Sequence, residues 1–94
     1  MYIYPKLEEA QKIAKDMGLP KPRSSQRKNK KLYVIYKHHE IHFGDRRYTD
    51  YLLSGDENKR DRFRARMEGV KNKDGSKAIH NKFGAAFYAY HILW

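Results

Sequence analysis

A small α+β domain, built on an antiparallel β-hairpin or three-stranded sheet packed by about three helices, is the fold this sequence predicts. Two short runs, residues 32–36 and 40–43, carry β-branched and aromatic side chains, and the second alternates polar with apolar as a half-buried strand does. On either side of them, residues 1–20, 54–69 and 81–94 place apolar side chains at helical spacing. A chain of 94 residues without cysteine must build its core from packing alone. Eight Tyr, four Phe and one Trp supply much of the area to be buried.

The first helix is expected within residues 1–20, opened by Pro5, with Glu8 and Glu9 where they favour the helix dipole. Leu7, Ala10, Ala14 and Met17 share a face with Ile13 beside them, and Gly18 and Pro20 stop the helix. Residues 21–31, KPRSSQRKNKK, hold six basic residues and no acidic one, and read as a basic linker or arm. The compact α+β domain then covers residues 32–94. His38 and His39 fall between the two strands, at a turn without an Asn-Gly or Asp-Gly signal. Ser54 and Glu57 have the spacing of a capping box, predicting a helix from Ser54 to a stop at Gly69. A polar turn around Asp74-Gly75 follows. Phe83, Phe87, Tyr90 and Trp94, at intervals of four, three and four, form one stripe of a last helix over residues 81–94 that should lie across the hairpin or finish in a neighbour.

Lys plus Arg outnumber Asp plus Glu by 21 to 11, a formal charge of +10 that calls for a polyanion or an acidic protein surface as partner. Arg23, Arg27, Lys28, Lys30 and Lys31 in the arm, with Arg46, Arg47, Arg60, Arg62, Arg64 and Arg66 beyond it, are the candidate contacts, since guanidinium groups bind phosphate and carboxylate bidentately. Phe83, Phe87, Tyr90 and Trp94 are the candidate protein interface. No apolar run is long enough for a membrane span and the first residues do not read as a signal peptide, so a soluble protein of the cytosol or nucleus is expected.

No catalytic signature stands out. His38, His39, Glu40 and His42 spell HHExH, but zinc-protease helices need H-E-x-x-H on a helix, and exposed hairpin histidines are the simpler reading. His80-Asn81 is a fragment of a nuclease motif without its partners. Asp45, Asp50 and Asp56 each read more simply as turn or cap residues than as magnesium ligands. The expectation is a non-enzyme with no metal, cofactor or small-molecule substrate.

Ile41, Phe43 and Gly44, then Tyr48, Asp50 and Tyr51, then Asp56, Glu57 and Arg60 with Arg64 and Arg66, and a closing Leu93-Trp94 make up a pattern of motifs. In these the chain resembles a family of small basic uncharacterised proteins of large double-stranded DNA (nucleocytoplasmic) viruses. Ser54, Gly55 and Met67 depart from the family pattern, which tends to histidine there. The resemblance implies a viral origin and a place in the virion, after synthesis in the host cytoplasm or nucleus. The first expectation is therefore a non-enzymatic structural component, a minor capsid or capsid-associated protein bridging larger subunits such as the major capsid protein. The alternative is a nucleic-acid-binding protein of the viral core.

Overall fold

The computed structural model describes residues 1–94 and is a small α+β domain, a three-stranded antiparallel sheet with four α-helices. The strands are β1 (Arg23–Ser24), β2 (Lys30–Tyr36) and β3 (His39–Asp45), in that spatial order. Leu32 pairs with Phe43 and Val34 with Ile41, so the alternation seen in the sequence puts these four on one face, where all are buried. The two strands meet in a two-residue turn, Lys37-His38, both at positive φ (47° and 69°). That is the backbone for which hairpins usually recruit Asn-Gly, here adopted by two bulkier side chains.

The basic stretch 21–31 is not a connector. Arg23 and Ser24 pair with Tyr33 and Leu32 as the sheet's edge strand, and Pro22 and Ser25 are fully buried. The Ser24 hydroxyl accepts from the Tyr4 amide, and the Gln26 amide group bonds the Tyr2 backbone in both directions. A charged run can do this because ladder bonds use only the main chain, and an edge position leaves alternate side chains in water. Lys31, expected on a free arm, is instead 3% exposed and buried against Asp50.

Helix α1 (Leu7–Asp16) buries Ala10 and Ala14 and ends at Gly18, which takes φ of +70°. Pro5 lies in the turn ahead of it, and Met17, expected on the buried stripe, is exposed. The helix predicted from Ser54 is two helices. Asp50 caps the one-turn α2 (Tyr51–Ser54), its carboxylate accepting from the Leu53 amide, and Gly55 ends it. Asp56, not Ser54, then caps α3 (Glu57–Glu68) by accepting from the Lys59 amide, which replaces the predicted capping box. The expected stop at Gly69 and the turn around Asp74-Gly75 are where the sequence places them, the turn closed by a bridge between Lys71 and Lys77.

The last segment is a one-turn α4 (Ala85–Tyr88) that widens into a π-helical turn, Ala89–Leu93, closed by Trp94 N–H donating to the Ala89 carbonyl. The helix begins only at Ala85 and its second half is π-helical, which breaks the stripe. Phe87 and Tyr90 turn into the protein's own interior with Tyr88, Ile92 and Leu93, while Phe83 lies outside the helix and is half exposed. Tyr88 packs on Phe43 with ring centroids 5.7 Å apart, which lays this segment across the hairpin. Ile92 and Leu93, each fully buried, contribute about 1.5–3 kcal/mol apiece.

Two buried phenols give the fold an alkaline limit. The Tyr88 hydroxyl donates to the Lys82 carbonyl, and burial pushes it up to about 12. Burial and the Asp50 carboxylate push Tyr4 up as well. A raised phenol favours the fold fully below the unfolded tyrosine pKa of about 10, and that contribution is lost as pH rises from there through the folded value. The urea midpoint should therefore hold steady up to about pH 9 and fall steeply between about 10 and 12. Tyr4→Phe should blunt the fall, because it removes one of the raised groups.

Candidate functional site: a basic and aromatic cleft

An open cleft of about 890 Å³ lies between α3 on one side and the loop that leaves β3 on the other. Lys59, Arg62 and Arg66, at intervals of three and four, share one face of α3 and line one wall. Arg47, Tyr48 and Thr49 line the other, with Phe63, Leu93 and Trp94 among the cleft's apolar lining. Phe63 and Trp94 are stacked, centroids 4.5 Å apart and planes 13° from parallel, and both are partly exposed. Arg66 lies over the Phe63 ring at 5.4 Å.

The electrostatics are one-sided. Asp45 is the only acidic residue lining the cleft, and Arg47 grips it with a two-pronged fork at 3.0 and 2.8 Å. Those hydrogen bonds hold the Asp45 carboxyl down at about 2, so it stays ionised and spoken for. Lys31, at the back of the cleft, is spent on Asp50 at 2.7 Å. Lys59, Arg62 and Arg66 take part in none of the chain's ion pairs and are exposed, leaving three uncompensated cations along one wall.

Of the basic residues singled out from sequence, Arg47, Arg62 and Arg66 come together here. Arg60 lies over the Tyr51 ring at 4.6 Å and next to Asp61. Arg64 donates twice to the Trp94 carbonyl, at 3.0 and 2.9 Å, and covers Tyr90. Arg46 is structural too: its guanidinium donates to the Lys30 and Ser25 carbonyls and lies 3.8 Å over the Tyr2 ring. Arg23, Arg27 and Lys28 are exposed, and neither they nor Lys30 line the cleft. Of the aromatic set, Trp94 lines the cleft, Phe87 and Tyr90 are interior, and Phe83 joins Tyr36 and His39 in a separate surface cluster.

Sequence reasoning missed Lys59, and saw Tyr48 only as part of a motif pattern and not as a site residue. Lys59 could have been found by projecting α3 as a helical wheel, which places it in line with Arg62 and Arg66. Also missed was a hydroxyl–imidazole–carboxylate relay: the Ser25 hydroxyl is 2.6 Å from His42 Nδ1, and His42 Nε2 is 2.6 Å from Glu40. The spacing is that of a catalytic relay, but Ser25 is wholly buried and its oxygen already accepts the Arg27 amide. It fastens the edge of the sheet to β3 and presents no nucleophile to solvent.

The fold and the cleft define a class, a small α+β domain with a cationic, ring-lined groove on its surface. The chain belongs to a family of unknown function, DUF5754, which it matches over residues 21–67. That span takes in all three strands, Tyr48 and α3 up to Met67. No curated protein and no solved structure matches the chain.

Proposed function

We propose that this protein binds nucleic acid through the cleft, as a non-enzymatic component of a viral core. The observation that carries the reading is the stripe of three cations outside any ion pair, Lys59, Arg62 and Arg66, on the helix face that also carries Phe63, itself stacked on Trp94. Phosphates neutralise such a stripe with release of counterions, and the net charge of +10 adds attraction at longer range. The role of a capsid cement drew instead on the aromatic stripe, two of whose four members, Phe87 and Tyr90, face the protein's own core. The viral setting follows from the sequence resemblance.

Fluorescence anisotropy with random-sequence DNA oligonucleotides across a salt series tests the reading. Three phosphate contacts should give a slope of about −2 to −3 in log affinity against log salt. The triple variant Lys59→Gln/Arg62→Gln/Arg66→Gln should flatten that slope and weaken binding about tenfold or more. All three side chains are exposed, so the fold should survive. Absence of binding at physiological salt would refute the proposal and turn attention to an acidic protein partner.

A further inference from the structure

We infer that the cleft takes single-stranded rather than duplex nucleic acid, with unpaired bases stacking on its rings; this rests on the nucleic-acid reading above. Phosphate contacts alone would need only the cations, and a duplex offers a protein its phosphates and base edges. Ring faces are met only by bases freed from pairing, and every base has one to offer. Here the rings stand among the cations. Trp94 is stacked on Phe63 of α3 and is itself partly exposed, and Tyr48, 69% exposed, stands in the lining beside Arg47.

Tyr48 is the telling residue. Its hydroxyl makes no hydrogen bond and it has no aromatic neighbour; the Arg47 guanidinium lies 5.9 Å from its ring centroid. A large ring left this exposed contributes little to the fold, while its place opposite the cationic wall suits it to close over a base. The dimensions agree. The cleft's 890 Å³ is the size of a small-ligand site, with room for one or a few nucleotides and not for a double helix. From Lys59 to Arg66 the wall runs roughly 10 Å along the helix axis, a line that an extended backbone can follow. Trp94, partly exposed and the chain's only tryptophan, lies where a bound base would report on itself.

The test compares a mixed-sequence single strand with the duplex of the same sequence, at one salt concentration, for the wild-type chain, Tyr48→Ala and Tyr48→Phe. The single strand should bind more tightly and quench Trp94 fluorescence. Tyr48→Ala should weaken single-strand binding about tenfold, clearly more than it weakens duplex binding, and Tyr48→Phe should restore it. Duplex affinity equal to or above that of the single strand, or a Tyr48→Ala variant that binds the single strand like wild type, would overturn this inference and leave the broader nucleic-acid reading standing. Failure of both forms to bind would overturn both.

Discussion

Asp50→Ala should cost the domain about 3–5 kcal/mol, enough to unfold much of the population of so small a protein. Asp50 is 1% exposed and satisfies three neighbours at once. It accepts from the Lys31 ammonium at 2.7 Å, from the Tyr4 hydroxyl at 2.9 and 3.0 Å, and from the Leu53 amide at 2.9 Å. Through these it joins β2, the segment ahead of α1, and α2. Removing the carboxylate strands the ammonium in a dry interior, leaves a phenol without an acceptor and uncaps a helix. The loss should come mainly from the stranded charge. Adding Lys31→Met to an Asp50→Asn background, which keeps acceptors for Tyr4 and Leu53, should recover most of it. Urea denaturation of the single and double variants measures both. A loss of under about 1 kcal/mol for Asp50→Ala would mean that the pair is not buried as described.

Gly44→Ala should destabilise by about 2–4 kcal/mol, for reasons of backbone and space together. Gly44 has φ of +80°, and a β-carbon there would stand 2.9 Å from Leu93 Cδ1 and 3.0 Å from Lys31 Cβ. One contact lies on the neighbouring strand and the other on the π turn, both buried, so neither can give way cheaply. Gly55→Ala is the control: its φ is +66°, yet nothing lies within 4 Å of the added carbon. That variant carries backbone strain alone and should lose about 1 kcal/mol. Equal losses at the two positions would show that crowding beside Leu93 is not what requires glycine at position 44.

The parts of this fold governed by local rules were legible in the sequence. Alternation placed Ile41 and Phe43 on one face, and Gly18 and Gly69 ended their helices. What the sequence hid was decided by long-range partners. Nothing around Lys31 separates it from Lys28 or Lys30, and only Asp50, nineteen positions later, makes it an interior residue. The edge strand at Arg23 and Ser24 is invisible to composition because its bonds are main-chain bonds. A π turn leaves no periodic trace, so the stripe from Phe83 to Trp94 read as one helix and as a surface. The cleft was half legible, because Arg62 and Arg66 were in view but the division of the arginines between site and scaffold depends on which carbonyls, rings and carboxylates stand opposite each.

Helix α3 has no buried residue; Phe63 stacked on Trp94 and Arg64 on the Trp94 carbonyl are its main ties to the end of the chain. Selection can therefore rewrite Lys59, Arg62 and Arg66 with little regard to folding, since no core contact penalises a change there. The Asp50 hub allows no such freedom. In lineages that share this architecture, stability should hold the hub fixed, while the cationic stripe is held only by the ligand it binds.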